Sequence, residues 1–264
     1  MIWGLCPGCF GKLQKRYACP TFISSIKYLG LKYLDFPLES PKQDDASCFK
    51  QANNKVSLMS DLRPCFREPI PEIAIAAQYL DAAVTAHLKG EHEQAATLIK
   101  RADMPVIRDW TESIWGKNSP YVSSGRISGA APVLTKEQRV AARMPNALEK
   151  KHLHERDAFH CRFCGIPVIR KEVRAKLAIL YPESLKWGRK STEQHAAFQA
   201  MWLQYDHVIP YARGGNNDLD NLVITCAPCN FGRMNFLIEE VGLLDPRTRE
   251  PLRSSWDGLE RLMT

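Results

Sequence analysis

Two cysteine pairs constrain this chain more than any other feature of its sequence. Cys161 and Cys164 form one Cys-x-x-Cys pair, Cys226 and Cys229 form a second, and 61 residues separate the two pairs. Thiolates at this spacing can face one ion across a tight turn, and two such turns complete a tetrahedral site of four sulfurs. The sequence therefore predicts a structural Zn²⁺ site that joins distant parts of the chain. Because sulfur fills all four positions, this ion cannot also bind a catalytic water.

The other cysteines also favour metal over disulfides. Nine cysteines make an odd number, and six of them fall in Cys-x-x-Cys pairs. The sequence contains neither a run of about 18 apolar residues nor a secretory signal, which predicts a cytoplasmic protein with reduced thiols. Cys6 and Cys9, with Cys19 nearby, form a third pair without an evident fourth ligand. A second zinc site and a group of free thiols both stay open for these residues.

A strand–loop–strand–helix pattern surrounds the second cysteine pair. Residues 205–209 are typical of a strand, the glycines at 214–215 mark a turn, and residues 222–225 predict a returning strand. A helix is predicted over 230–242. The predicted fold class is α+β: a mostly helical chain whose C-terminal half holds a small ββα, treble-clef-like domain framed by zinc.

The same segment resembles the HNH, or ββα-metal, endonuclease family. The resemblance rests on the Asp206-His207 pair, a Gly-Gly turn, the Asn221-Leu222 strand start and a Cys-x-x-Cys-Asn run that ends at Asn230. Thirteen residues separate His207 from Asn221 and eight separate Asn221 from Asn230, and both spacings match the family pattern. With the first cysteine pair included, the resemblance covers about 75 residues and leaves the N-terminal half unassigned.

The resemblance implies a metal-dependent nuclease site beside the zinc frame. His207 is the implied general base, because imidazole titrates close to neutral pH. Asp206 and the amide oxygen of Asn230 are the implied ligands of a catalytic Mg²⁺ or Mn²⁺ ion, since both ions prefer oxygen. Asn221 is expected to hydrogen-bond the backbone across the loop and hold His207 in place. Asn230 follows Cys229 directly, so the zinc turn would fix one of the catalytic ligands.

Positive charge is concentrated near this segment. The chain has a net charge of +7, and residues 136–190 carry fourteen Lys or Arg against six Asp or Glu. Such a segment suits a phosphate backbone, although a solvated helix face explains it equally well. Trp187 lies among these cations and fits base stacking or core packing equally. The predicted nucleic-acid contacts are Arg233, whose position is often basic in the family, Arg213 beside the glycine turn, and Lys186, Arg189 and Lys190.

Periodicity and composition divide the chain into segments. In chain order these are an N-terminal extension of undefined fold (1–58), a helical hairpin module (59–116), a linker rich in Ser, Gly and Pro (117–135) and the nuclease domain (136–264) with a basic helical insertion (166–204). Apolar residues at spacings of three and four predict the hairpin helices at 72–88 and 91–102, on either side of Gly90. This hairpin offers a surface for a protein partner.

These features predict a metal-dependent HNH endonuclease that hydrolyses phosphodiester bonds, with DNA favoured over RNA and no membrane association. Two alternatives stay open: a nuclease subunit of a defence, restriction or toxin system, and a zinc-dependent nucleic-acid-binding module without turnover. The second is disfavoured by the set of Asp206, His207, Asn221 and Asn230, because a binding module needs neither a base nor two ligands for a catalytic metal.

Overall fold

The computed structural model describes residues 62–115, 118–125, 127–139 and 144–264. The N-terminal extension and the third cysteine group lie outside these residues. The helices and strands, in chain order, are α1 (Pro71–Leu88), α2 (His92–Ala102), α3 (Pro105–Trp115), α4 (Ala147–Asp157), α5 (Lys171–Leu180), α6 (Ala196–Ala200), β1 (Leu203–His207), β2 (Leu222–Cys226) and α7 (Ala227–Arg233). The described residues are therefore about half helical with a small two-stranded antiparallel sheet in the C-terminal half, which confirms the predicted α+β class.

Helices α1 and α2 form the predicted hairpin. Ile73, Leu80 and Val84 are among the α1 residues that are buried, at spacings that place them on one face of the helix. Pro71 opens α1, where the N–H that proline lacks would have no helical partner. Gly90 turns the chain with a φ of +82°, a conformation that glycine adopts without steric cost. The observed bounds of both helices agree with the sequence to within one residue.

A third helix, α3, follows the hairpin and has no counterpart among the predicted helices. Pro105 begins α3, where the N–H that proline lacks would have no helical partner. Ile107, Trp110 and Ile114 are buried at spacings of three and four. The indole N–H of Trp110 donates to the carbonyl oxygen of Glu68 at 2.8 Å, which anchors α3 to the chain that precedes the hairpin.

The helices before the predicted linker pack directly on the part of the chain that follows the first cysteine pair. Helix α3 lies against both α6 and α7. The backbone N–H of Ala196, at the start of α6, donates to the Asp103 carboxylate at 2.7 Å. Residues 54–264 form one compact unit. Among the described residues, no break in the packing marks a domain boundary at 117–135. The linker there therefore stays a prediction from the sequence.

The two strands and α7 form the predicted ββα unit. The strands are antiparallel, with Leu203 opposite Cys226 and His207 opposite Leu222. β1 begins and ends two residues earlier than predicted, so His207 is its last residue.

Helix α7 corrects the predicted helix over 230–242. It begins three residues earlier, directly after β2, and ends at Arg233. Met234 then takes a φ of +48°, which stops the helix. The apolar residues that follow look like a continuing helix in the sequence, but Ile238 and Val241 are buried by a separate 3-10 turn.

Helices α5 and α6 bracket the basic loop of the predicted insertion. α6 has only five residues, because the chain enters β1 at Leu203. Trp202, just before β1, pairs with Ile169 in a parallel β-bridge that joins the insertion to the sheet. Within the described residues, none of the helices combines the length and apolar character needed to cross a membrane.

Candidate active site and metal centre

The four predicted zinc ligands lie together. The sulfur atoms of Cys161, Cys164, Cys226 and Cys229 are all within 4.8 Å of one another, and those of Cys164 and Cys226 are 3.6 Å apart. Four thiolates around one zinc ion lie roughly 3.8 Å apart when each Zn–S bond is about 2.3 Å. The cluster therefore has the size and the donor set of a closed tetrahedral site.

Backbone hydrogen bonds shape the first cysteine turn and attach it to the sheet. The N–H of Gly165 donates to the carbonyl oxygen of Cys161 at 2.8 Å, and Gly165 has a φ of +80° that favours glycine. The N–H of Arg162 donates to the carbonyl oxygen of Ile224 in β2 at 2.9 Å. The second cysteine pair spans the junction of β2 and α7. An ion in the cluster would thus hold the junction that carries Asn230.

A buried ion pair joins β1 to α7. Arg233 Nη2 lies 2.6 Å from Asp206 Oδ1, and Arg233 Nε lies 3.2 Å from Oδ2. The guanidinium also donates to the carbonyl oxygens of Val208 and Phe236, at 3.2 and 3.0 Å. Burial raises the pKa of the Asp206 carboxyl, and the adjacent Arg233 lowers it only in part. The carboxylate is therefore held in a site where its charge depends on this arginine.

The ion pair corrects the expectation that Arg233 contacts phosphate. The Arg233 side chain has no exposed surface, and its guanidinium N–H groups donate to acceptors within the protein. The physical reason is that a buried carboxylate needs a compensating charge, and Arg233, the last residue of α7, supplies it to Asp206.

His207 ends β1 half-buried, with its ring held by the glycine-rich loop. Its Nε2 atom lies 2.9 Å from the side-chain oxygen of Asn217. Because that oxygen only accepts, Nε2 is the nitrogen that carries hydrogen, and in the neutral ring Nδ1 is left with a lone pair. Asn217 is a positioning residue that the sequence analysis placed only in a turn, since no local pattern pairs residues ten apart across a loop.

Asn221 holds the same loop from inside. Its side-chain oxygen accepts from the N–H of Ile209 at 2.8 Å, and its amide donates to the carbonyl oxygens of Ile209 and Asn216 at 3.1 and 2.8 Å. These are bonds to the backbone across the loop, of the kind expected from the sequence. Gly215 lies against them, because a Cβ there would meet the Ile209 carbonyl oxygen at only 1.8 Å.

Asn230 lies on the same side of α7 as Arg233, three residues before it. It is half-buried, and among the described residues its side-chain amide has no hydrogen-bond partner. The ββα unit therefore carries Asp206 and His207 at the end of β1 and an unpartnered Asn230 amide on the α7 face that meets β1.

The other predicted nucleic-acid contacts divide into two groups. Arg213 pairs with both carboxylate oxygens of Glu240, at 2.8 and 2.9 Å, so its guanidinium braces the loop and does not stand free for phosphate, contrary to expectation. In contrast, the three predicted contacts that precede α6 are exposed: Lys186, Arg189 and Lys190. Within the described part of the chain, their side chains have no ion-pair partner.

A second buried carboxylate was not singled out by the sequence. Asp157, at the end of α4, is fully buried and accepts from the N–H of Ile224 in β2 at 2.8 Å. Arg156 pairs with it and donates to the carbonyl oxygens of Leu219 and Leu222, at 2.9 and 2.6 Å. These contacts fix the start of β2, and an ordinary Arg-Asp pair in a charged helix gives no local signal for that role.

If His207 is the general base that the family resemblance implies, we expect Asn217→Ala to lower kcat about 10- to 100-fold with little change in KM, because the ring of His207 loses the acceptor that orients it. Asn217→Asp keeps an oxygen acceptor and should restore much of the rate. The neighbouring exposed Asn216 supplies the control, Asn216→Ala. Steady-state kinetics on a cleavable oligonucleotide measures both constants, and a raised KM with unchanged kcat would argue against orientation of the base.

We expect Arg233→Ala to lower the free energy of unfolding by about 3–5 kcal/mol, because it leaves the Asp206 carboxylate buried and unpaired. Chemical denaturation followed by circular dichroism measures this change. The paired variant Asp206→Asn with Arg233→Met, which removes both charges, should recover part of the loss. A stable Arg233→Ala protein with weaker nucleic-acid binding would instead support the phosphate contact expected from the sequence.

Comparison with known protein families agrees with this geometry. Residues 195–241 match the family model described as HNH endonuclease. The matched segment contains both strands, α7, the Asp206-His207 pair, Asn221 and Asn230, and it excludes the first cysteine pair. Searches of curated proteins and of solved structures return no match. Residues 195–241 are thus similar to an HNH endonuclease domain, and the four-cysteine cluster combines one cysteine pair inside this segment with one pair before it.

Proposed function

We propose that this protein is a metal-dependent HNH endonuclease that hydrolyses phosphodiester bonds in DNA. The observation that carries the proposal is the orientation of His207, whose contact with Asn217 leaves Nδ1 able to accept a proton. A base held in one orientation, beside a carboxylate and a free amide oxygen, suits the activation of water.

In the proposed reaction, His207 Nδ1 accepts a proton from a water molecule as the water oxygen bonds to phosphorus. The bond from phosphorus to the leaving oxygen breaks, and that oxygen takes a proton from solvent. Asn221 keeps the loop closed through its backbone hydrogen bonds and so holds the base at the end of β1. Asn217 and Asn221 therefore act through His207 and are positioning residues.

The residues present fit a divalent ion such as Mg²⁺ or Mn²⁺. An ionised carboxylate has about four lone-pair positions, so the two contacts of Arg233 leave Asp206 with acceptor capacity for an ion. The amide oxygen of Asn230 is a second hard donor from the facing helix. When bound, the ion would neutralise charge on the phosphate and the leaving oxygen. Because Asp206 is the only charged ligand proposed, tight binding would depend on the phosphate of the substrate.

The four-cysteine cluster is proposed to hold a structural Zn²⁺ ion. Thiolate donors in a closed tetrahedral set favour zinc over the hard ions that oxygen ligands select. The ion would keep β2 and α7 in register and thereby fix Asn230 relative to Asp206. The cytoplasmic location and the protein partner at residues 59–116 rest on the sequence alone.

A cleavage assay tests the proposal. Supercoiled plasmid, linear duplex DNA, single-stranded DNA and RNA are each incubated with Mg²⁺, with Mn²⁺ and without a divalent ion. Cleavage of DNA that requires the added ion is the expected result. Binding without cleavage of any substrate would identify a zinc-dependent binding module, and cleavage of RNA alone would overturn the assignment of DNA.

A further inference from the structure

Four aromatic side chains form a continuous row beside the candidate active site. The ring centroids of Trp115 and Phe231 are 5.6 Å apart, those of Phe231 and Trp202 are 5.9 Å apart, and those of Trp202 and Trp187 are 5.9 Å apart. These spacings are in the range of direct aromatic contact. We call these four residues the aromatic track.

The aromatic track is accessible to solvent. Phe231 is 39% exposed, and the three tryptophans are half-buried. Among the described residues, Trp115, Trp202 and Phe231 lie outside the apolar core cluster, and only Trp187 packs against it. A folded chain rarely leaves adjoining large aromatics in water without a binding role. The row therefore has the character of a binding surface.

The aromatic track passes next to Asn230 of the candidate active site through its second ring, Phe231. Phe231 follows Asn230 in α7, and the carbonyl oxygen of Trp202 accepts from the N–H of Ala227 at the start of the same helix, at 2.8 Å. Trp115 reaches Phe231 because α3 approaches α7 closely: a Cβ added to Gly232 would lie 2.9 Å from a side-chain atom of Ile114. The helix that the sequence analysis missed thus supplies one ring.

The Trp187 end of the aromatic track carries positive charge. Lys186, Arg189 and Lys190 surround Trp187 in the sequence, and all three are exposed. Glu193, the nearby acid, accepts from the backbone N–H groups of Arg189 and Lys190, at 3.0 and 3.2 Å, and not from their charged groups. Three cations therefore stay available to a phosphate backbone.

Helix α3 also holds this basic loop in place. The hydroxyl of Ser191 donates to the Glu112 carboxylate at 2.6 Å, and Arg108 donates to the carbonyl oxygen of Gln194, also at 2.6 Å. At the base of the loop, the Arg174 guanidinium carbon lies 3.5 Å from the centroid of Trp187 and fixes that ring by cation–π contact. The rings and the charges are thus carried on one rigid framework.

We propose that the aromatic track binds single-stranded nucleic acid by stacking with unpaired bases, while Lys186, Arg189 and Lys190 bind its phosphates. The Arg174 guanidinium covers one side of Trp187 and of Trp202, so Phe231 and Trp115 are the rings assigned to base stacking. Accessible rings beside cations recognise single strands, because every unpaired base offers a π-face whereas the bases of a duplex are already stacked. The track leads the strand to Asn230. This inference rests on the proposed function for the cleavage step, and it assigns a single-stranded or locally unpaired substrate to that site.

The test measures binding separately from cleavage. The full chain carrying His207→Ala is titrated into fluorescent 20-mers of oligo(dT) and oligo(U) and into a blunt 20-base-pair duplex, with fluorescence anisotropy as the readout. We expect at least one single strand to bind more tightly than the duplex, and the preferred single strand identifies the sugar. Trp115→Leu should then weaken single-strand binding about tenfold, which corresponds to about 1.4 kcal/mol, and leave duplex binding within twofold.

Two further variants separate stacking from folding. Trp115→Phe keeps an aromatic face and should retain most of the affinity that Trp115→Leu loses. Tyr79→Ala removes a half-buried aromatic with an arginine over its ring on α1, outside the aromatic track, and should change neither affinity. Equal affinity for the three ligands, or equal losses on single strands and duplex in Trp115→Leu, would overturn the inference. Because the assay needs no turnover, an inactive wild-type protein would contradict the proposed nuclease and leave this test in force.

Discussion

Replacing His207 with alanine is expected to lower the rate of DNA cleavage by about 10²- to 10⁴-fold, the contribution that general-base catalysis typically makes. The variant loses the nitrogen that accepts the proton of the attacking water. It also loses the imidazole ring that hydrogen-bonds to Asn217. The fold should persist, because His207 is only half-buried at the end of β1 and its removal leaves the Asp206–Arg233 pair intact.

Initial rates of plasmid nicking in Mg²⁺ or Mn²⁺ measure this effect, with thermal unfolding recorded on the same preparations. His152→Ala is the matched control, because His152 is an exposed histidine on α4 outside the matched HNH segment. The control should retain the rate of the wild type. If His207→Ala cleaves as fast as the wild type, another group activates the water and the proposed mechanism fails.

Replacing Cys226 with serine is expected to remove the bound zinc and to unfold the nuclease part of the chain. Cys226 is fully buried and joins β2 to α7 within the four-sulfur cluster. Structural zinc contributes about 10–16 kcal/mol in small zinc-binding peptides, which is comparable with the roughly 5–15 kcal/mol that stabilises a typical domain. Loss of the ion would therefore remove an amount of free energy similar to the whole stability of the fold.

Zinc content by elemental analysis and thermal unfolding by calorimetry measure this prediction. Cys65→Ser is the control, because Cys65 is also a buried cysteine but lies outside the four-sulfur cluster, and its thiol donates to the Glu68 carboxylate at 3.6 Å. That control should keep one zinc per chain. A Cys226→Ser protein that also keeps one zinc and unfolds at the temperature of the wild type would show that the cluster is not a structural metal site.

The sequence predicted the four-cysteine cluster and the ββα order well, because both depend on local rules. A Cys-x-x-Cys pair forms its own turn, and glycines, apolar runs and cysteine positions mark where strands and turns occur. The backbone hydrogen bonds of Asn221 also agree with the expectation drawn from the family resemblance. The bounds of the helix at the second cysteine pair were predicted less well. Residues 234–241 are apolar enough to continue that helix, but the chain leaves it at Met234 and forms a separate 3-10 turn.

The sequence by itself determined which residues could hold zinc and which could do the chemistry, since residue type and spacing along the chain carry that information. Only the tertiary structure decided that Arg233 serves Asp206 and not phosphate, because the pairing depends on the burial of both groups between β1 and α7. It also decided that Trp115, Phe231, Trp202 and Trp187 form one row. Those rings come from α3, α7 and the insertion, and only the packing of these segments brings them together.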